Sequence, residues 1–568
     1  MSLVGALDAG QSALSIAQAG IQVTGNNIAN AGNADYSREI AQTSPSLEEQ
    51  LQPGIFLGTG VDLTSIQRQV DDALNGRLRG AMSDNAAAST NQQWLTQVQS
   101  TLNALSGQDL SAQMTTFFND WSSLANDPTN AGQRQVVLQD GSNLASYAQG
   151  LQGQLGALQG NINQELQGQA SAANGLAEQV ATLNRQIVVA QGGTGGQANG
   201  LQDQRDSVLK QLSQLLNTTT IRQPNGEVNV YVGSEALVDG ETNAGVSLVN
   251  KTDITTGVTS PTLVFTNTNG NIPVTSGELG GLLSSRDAVI NVSAQLDSVV
   301  HNLIGAVNQI HASGQGTSGY SSVTASSQVL NPTVALNQPT TGLSFTPVNG
   351  SFVVHVKQSS TGLVTSTLVN INLQGNPNDT TLNSLAAQLN GITGVTASIS
   401  GGKLTIASSS SNEQISFSQD TSGTLAALGI NTFFTGTNAN DIGVNSQLTA
   451  NPTLLAAAQN GQAGDNQTAL AISQLNSTPL ASLSGQSLQQ GYQALVNQVA
   501  TDTSAAKQNA TATQAVQNTL QTQQASVSGV NLDEEASNLM QQQRSFQAAA
   551  QLITAVNAMM TTLIAMVT

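Results

Sequence analysis

Residues 528–567 read SGVNLDEEASNLMQQQRSFQAAAQLITAVNAMMTTLIAMV, and their spacing decides the fold. Leu532, Leu539, Phe546, Ile553, Met560 and Val567 recur every seventh residue, with Ala536, Ala550 and Ile564 along the neighbouring row. A seven-residue apolar period keeps one seam of a helix facing a partner as the two supercoil. Asn531 stands where an N-cap belongs, and Glu534 follows at the spacing of a capping box. Asp533, Glu534 and Glu535 put negative charge on the positive end of the helix dipole. Residues 532–567 are predicted to form one helix, roughly 54 Å long at about 1.5 Å per residue.

The other end of the chain carries the same period. Leu7, Leu14, Ile21 and Ile28 fall one heptad apart within a predicted helix over residues 3–30. Gly10, Gly20 and Gly25 each cost this helix about 1 kcal/mol relative to Ala. It is therefore expected to be marginal alone, to lack order in the free monomer and to gain it on assembly. The two terminal seams are expected to meet in a coiled coil, with Leu7, Leu14, Ile21 and Ile28 against Leu539, Phe546, Ile553 and Met560.

Between the seams the periodicity changes several times. A loop rich in turn formers is predicted from Asn30 to Pro53, then long helical patterns from Val70 to Leu216. One stripe runs through Leu95, Val98, Leu102 and Leu105, and another through Met114, Phe117, Phe118, Trp121 and Leu124 before Asp127-Pro128 breaks it. Near Thr218 the period drops to two, with Pro224-Asn225-Gly226 turning into Val228, Val230 and Val232. A helix follows from Leu282 to Ile310. A second β-rich island, holding a short helix at Leu382–Leu389, precedes a return to helical patterns from Asp441 onward.

The composition narrows the function classes. The chain has 568 residues, a formal charge of −19, 9% charged residues and no cysteine. Such an acidic, charge-poor surface offers no footprint for nucleic acid or an anionic membrane. The N-terminus lacks both a positive n-region and a continuous apolar h-region, so no Sec-type signal peptide is expected. Leu552–Val567 is short against the ~20 residues of a bilayer span, and Thr554, Asn557, Thr561 and Thr562 interrupt it. The heptad accounts for its apolar residues.

No catalytic pattern emerges. His301 and His311 lie ten residues apart on one predicted helix, roughly 15 Å of rise, so they cannot share a ligand, and His355 sits in a strand pattern. Gly193-Thr194-Gly195 with Ala198 matches G-x-G-x-x-A only formally, because a helix precedes it where a dinucleotide site needs a strand. Neither a Walker lysine motif nor a G-x-S-x-G elbow occurs. No enzyme activity, cofactor or metal is expected.

The segment Asn26-Asn27-Ile28-Ala29-Asn30-Ala31, followed by Tyr36-Ser37-Arg38, resembles the N-terminal signature of bacterial flagellar axial proteins. Gly32-Asn33-Ala34-Asp35 stands where that family usually has a Thr-Pro-Gly-like turn, and Gly32 or Asn33 can supply the bend. Further matches are similar to the family's hook-associated members. They include Gly58-x-Gly60-Val61, Phe117-Phe118-Asn119, Asn126-Asp127-Pro128, Arg134-Gln135-Val136, Gly277-Glu278-Leu279-Gly280-Gly281, Asn308-Gln309-Ile310-His311 and Gly464-Asp465-Asn466. Ser528 through Ala536 completes the series, and only residues 317–440 fall outside it.

The resemblance implies a mainly α fold with β insertions: terminal helices in a coiled coil, an elongated helical-bundle domain and one or two β-rich outer domains. The expected division is a terminal domain of 1–60 and 528–568, and a helical middle of 61–217, 281–316 and 441–527. Residues 218–280 form a β-rich domain and 317–440 a β-rich outer insertion. The implied role is that of a structural protein at the hook–filament junction of the extracellular flagellum, exported unfolded through the type III apparatus without a cleaved signal peptide. Implied partners are further copies of itself, hook protein, a second junction protein and an export chaperone on the C-terminal segment. The assembly residues would be the two heptad rows together with Asn30, Tyr36, Ser37 and Arg38, with Asn531 and Glu534 as the helix cap. The rival readings are another axial component (hook protein, rod protein or flagellin) and a secreted adhesin using residues 317–440.

Overall fold

The computed structural model describes residues 3–102, 108–192, 197–252 and 259–567. Leu105 and the Gly193-Thr194-Gly195 motif lie outside these residues. The fold is mainly α with β insertions, as the sequence patterns imply, and its residues pack into two compact units.

The first unit holds residues 1–94, 161–286 and 505–568. It opens with α1 (Leu3–Ala29). The segment expected as loop then forms a two-stranded ribbon, which is a correction to the sequence reading. Here β1 (Glu39–Pro45) pairs antiparallel with β4 (Val61–Arg68), and β2 (Glu49–Gln52) and β3 (Ile55–Leu57) make its tip. The turn residues that suggested a loop are spent at the tip and at a bulge between Gln42 and Thr43. The ribbon reaches α1 at Gly60. This residue sits at φ +130°, and a Cβ there would come within 2.6 Å of Ser12 Oγ.

Helix α2 (Asp72–Leu102) contributes its first part to this unit and its last part to the other. After α3 (Leu110–Asn126), the 61-residue α4 (Ala131–Gln191) is likewise shared, and α5 (Asn199–Leu215) belongs to the first unit. The β-rich stretch of this unit follows. A four-stranded antiparallel sheet comprises β5 (Thr218–Arg222), β6 (Val228–Val232), β7 (Glu235–Asp239) and β8 (Thr242–Asn243). A separate hairpin joins β9 (Val246–Thr252) and β10 (Thr259–Phe265). The hairpin turn predicted at Pro224–Gly226 is present, with Gly226 at φ +88°. Buried Arg205 holds this turn by donating to Gly226 O at 2.7 Å and to Asn184 Oδ1 at 3.0 Å. Burial lowers its guanidinium to about 10, which still leaves it charged at neutral pH.

Helix α6 (Gly277–Ala312) explains the glycines of its own motif. Gly277 has φ +78°, and a Cβ there would lie 2.5 Å from the Leu215 carbonyl carbon. A Cβ on Gly281 would lie 2.6 Å from Ala87 O. The two glycines mark where α6 crosses close to α5 and α2, which no larger residue permits.

The second unit holds residues 95–160 and 287–504. Its core gathers Phe117, Phe118 and Trp121 of α3 with Phe433 and Phe434, ring centroids 4.7–6.3 Å apart in tilted or edge-on pairs. Beyond Asp127-Pro128, buried Arg134 donates to the carbonyls of Pro128 and Leu455, tying the break to a distant loop. The insertion contains two three-stranded antiparallel sheets. One combines β12 (Gly350–Gln358), β13 (Val364–Ile371) and β16 (Glu413–Ser418). The other combines β11 (Ser322–Thr324), β14 (Val395–Ser400) and β15 (Lys403–Ser408). Between them lies α7 (Leu382–Asn390), near its predicted place, with a reciprocal Thr381/Ser384 capping box.

The uniform helix expected from Asp441 does not form at once. After α8 (Thr424–Leu428), β17 (Phe434–Thr435) pairs with β18 (Gly443–Val444), and only α9 (Ser446–Ala450) and α10 (Gln467–Gln474) precede α11 (Leu488–Ser528). Pro452, Gly461, Gly464 and Gly485 interrupt the run, the three glycines at positive φ. The C-terminal helix α12 (Leu532–Val567) is continuous.

His311 shows how the second unit is clipped together. Its Nδ1–H donates to Asn431 O at 2.7 Å, and its Nε2 accepts from Ala456 N at 3.0 Å. This requires the uncharged ring, and complete burial pulls its pKa down to about 4 from an ordinary 6.5. The unfolded chain then binds the proton first as pH falls. The contribution to stability is present above pH ~6.5 and is lost as pH drops towards ~4, roughly 3 kcal/mol in all. Urea unfolding between these pH values, followed by Trp121 fluorescence in a Trp94→Phe background, should show this slope. His311→Gln should be less stable at pH 7 and should lack that part of the slope.

Candidate functional site at the paired termini

Helices α1 and α12 pack antiparallel within one chain. A Cβ on Gly10 would meet Ile553 Cγ1 at 3.0 Å, a Cβ on Gly20 would meet Gln542 Cδ at 2.7 Å, and Asn27 reaches Glu535. The residues of α1 that are fully buried are Gly10, Ala17, Gly20, Val23, Thr24 and Asn27. The row Leu7, Leu14, Ile21 and Ile28 runs beside them and is half-buried. On α12 the buried positions are Glu535, Ala549 and Val556. Leu539, Phe546, Ile553 and Met560 flank them half-buried, and Leu532 is exposed. The side chain of Val567 lies outside the described residues. The heptad is present in both helices, but its most buried row is built mostly of small and polar residues, displaced by three positions from the large apolar row.

This displacement changes the meaning of the glycines. Gly10 and Gly20 lower helix propensity, yet they make room for α12 side chains, Ile553 against Gly10 and Gln542 against Gly20. The partner that α1 needs is supplied by its own chain, on one side by α12 and on the other by the ribbon at Gly60. Gly25 has no neighbour within 4 Å of its missing Cβ.

Polar bonds close the far end of the seam. Asn27 Nδ2 donates to Glu535 Oε2 at 3.0 Å and to Glu39 O at 2.9 Å. Asn27 Oδ1 accepts from Tyr36 Oη at 2.7 Å and from Glu39 N at 2.9 Å. Arg38 pairs with Glu535 and Glu534 at 2.8 and 2.9 Å, and its amide donates to Ser528 O. Tyr36 stays a phenol, because burial and the carboxylates of Glu39, Asp203 and Glu535 all raise its pKa. Ser37 N donates to Asp203 Oδ2, and Arg68 Nη1 bridges Asp203 and Asp206 at 2.7 and 2.8 Å. Asn199 completes the network by donating to Glu39 Oε1 and Ile66 O.

The structure thus turns Tyr36, Ser37 and Arg38 inward and leaves Gly32–Asp35 exposed at the tip of the bend. Asn33 supplies that bend, its Oδ1 accepting from Asp35 N. Asn30 folds back on Asn26. Asn531 accepts from the amides of Asp533 and Glu534, but the Glu534 carboxylate is taken by Arg38 rather than returned to the cap. Asn27, Glu39, Asn199, Asp203 and Glu535 are the participants that sequence reasoning missed. The polar pair Asn26-Asn27 inside a predicted helix is the one local signal that pointed to them.

The chemistry here is that of adhesion between helices. Among the described residues no three His, Asp or Glu side chains gather as metal ligands. Beside the seam, Leu552, Met559, Leu563, Ile564 and Met566 are exposed, Met566 at 80%. An 18-residue window of the C-terminal helical stretch reaches a mean hydropathy of 1.5 and is only 11% buried, so by length and composition alone it could cross a membrane.

Comparison with known proteins agrees with this architecture. Residues 95–323 match the helical domain of the flagellar hook-associated protein FlgK, and residues 521–566 match the C-terminal segment of the flagellar basal body rod FlgEFG proteins. The chain is thus similar to bacterial flagellar axial proteins along most of its length. Within that group it is 25% identical to flagellar hook-associated protein 1 of Escherichia coli over 97% of this chain and 98% of that one. The Salmonella typhimurium protein of the same name is 25% identical over 96% and 97%. The fold is shared with the flagellar hook junction protein FlgK from Burkholderia pseudomallei, at a TM-score of 0.50 and 16% identity, over 80% of this chain and all of that one.

Two substitutions separate packing from propensity. Gly10→Val, set against the branched Ile553 side chain, should destabilise the pair by about 2 kcal/mol. Gly25→Ala, into open space, should stabilise α1 by about 0.5–1 kcal/mol. Amide hydrogen exchange in α1 reports both. Arg38→Ala leaves buried Glu535 without its cation and should lower α1 protection by roughly 2–3 kcal/mol, with Arg38→Lys recovering only part because a single ammonium cannot make the forked contact.

Proposed function

We propose that this chain is a structural subunit of the hook–filament junction, exported unfolded by the flagellar type III apparatus and assembled through its terminal helices. The observation that carries this reading is the apolar row Leu552, Met559, Leu563 and Met566, which the single chain leaves in water beside an already formed seam. Packing between copies would cover it, along with the half-buried row of Leu7, Leu14, Ile21 and Ile28. The similarity to proteins named for hook association supports the location.

In this reading residues 1–60 and 528–568 form the inner coiled-coil layer. The helical middle of 61–217, 281–316 and 441–527 surrounds it, with 218–280 and 317–440 facing the exterior. The exposed loop tip at Gly32–Asp35 approaches the next subunit, held in place by the inward-turned Tyr36-Ser37-Arg38. Partners are further copies, hook protein, the second junction protein and, before export, a chaperone on the C-terminal segment. The role is structural and needs no catalytic residue.

Phe546→Asp tests this. The half-buried ring flanks the seam, so a carboxylate there should permit export and block junction assembly. The expected phenotype is hooks without filaments and flagellin released to the medium, seen by electron microscopy and by immunoblot of the supernatant. Normal filaments in this strain would overturn the reading.

A further inference from the structure

Away from the termini, the second unit contains a groove of about 510 Å3 between α6 and the segments 344–348, 422–426 and 480–482. Its volume lies in the range of small-molecule sites. In a chain of net charge −19, no carboxylate, ammonium or guanidinium lines it among the described residues. Its polar lining is hydroxyl, amide and imidazole; its apolar lining includes one aromatic ring, Phe345.

That ring is held in a prepared seat. It stacks on His301 with centroids 4.4 Å apart and planes 12° from parallel. Below it, α6 carries Gly305, where a Cβ would come within 2.6 Å of Phe345 Cε1. A helix-interior glycine is disfavoured relative to Ala, and here it is the residue that admits the ring. Phe345 nevertheless stays only half-buried, so this seat does not serve to complete the core. Imidazole Nδ1 of His301 lies 2.8 Å from Thr437 O, which can only accept, so Nδ1 carries the proton and Nε2 is left to accept. Gln309 is exposed one helical turn further along the same wall, and Ser344 and Ser482 present exposed hydroxyls.

We propose that this groove binds a neutral, polyhydroxylated ligand of mono- to disaccharide size. The C–H face of a sugar ring packs on Phe345, and its hydroxyls exchange hydrogen bonds with His301 Nε2, Gln309, Ser344 and Ser482. Charged ligands are disfavoured because entry strips their water and the groove offers no counter-charge. The arrangement matches the general design of such sites, an apolar wall with a few placed polar groups.

Saturation-transfer NMR on the full-length chain, with glucose, galactose, N-acetylglucosamine, maltose and lactose at millimolar concentration, tests the assignment, with glucuronate and sialic acid as charged controls. At least one neutral sugar should receive saturation, strongest on its ring C–H protons. Phe345→Ala should weaken that binding by roughly tenfold. Gln309→Ala, on an exposed helix face, should weaken it by a smaller factor with the thermal midpoint unchanged, which separates ligand contact from folding. Absence of transfer to every neutral sugar overturns the proposal. So does binding that survives Phe345→Ala, or a preference for the charged sugars.

Discussion

A single buried carboxylate, that of Glu535, governs the arrangement of the termini. It lies at the start of the C-terminal helix, with Arg38 on one side and Asn27 on the other, and the bond to Asn27 spans 508 residues of sequence. Closing a flexible loop of that length would cost roughly 5–6 kcal/mol. The folded residues between shorten the effective loop and reduce that cost. Because Asn27, Tyr36, Arg38 and Glu39 share these bonds, the bend after α1, the ribbon and the first turn of α12 are fixed together. The antiparallel register of the two helices follows, since Glu535 can meet Asn27 only if Gly20 faces Gln542 and Gly10 faces Ile553.

The small-residue row of α1 complements this constraint. Polar bonds define one end of the register, and steric fit defines the rest, with Ile553 seated against Gly10 and Gln542 against Gly20. Large apolar residues then stand at the margin of the seam instead of filling it. A pair built this way keeps a half-buried apolar border, the form of surface suited to adding further helices. The pairing within one chain and the packing proposed between chains therefore draw on the same heptad at different depths.

Much of this was legible in the sequence. The seven-residue period, the cap at Asn531, the break at Asp127-Pro128, the turn at Pro224–Gly226 and the short helix near Leu382 all rest on local chemistry and stand near where local chemistry puts them. What was not legible depended on distance. The ribbon at 39–68 reads as loop because its strands are short and its turn residues many, and its place is set by contact with α1. The depth of each heptad row could not be told from apolarity, since a buried glycine scores as a weak helix former until its neighbour is known. Arg38 and Glu535 were each visible, but nothing local links a cation near the beginning to a carboxylate near the end. The groove at Phe345 was likewise invisible, because Gly305 and Phe345 carry no spacing that connects them.

The location of the partner helix has a temporal consequence as well. The surface that completes α1 lies far downstream of it, Asn27 and Glu535 being 508 residues apart, so during synthesis this helix waits unfinished until α12 has been made. A product truncated anywhere before α12 would carry an N-terminus that cannot close. Completion of the seam thus waits on α12, and only chains that include this helix present both faces of the pair.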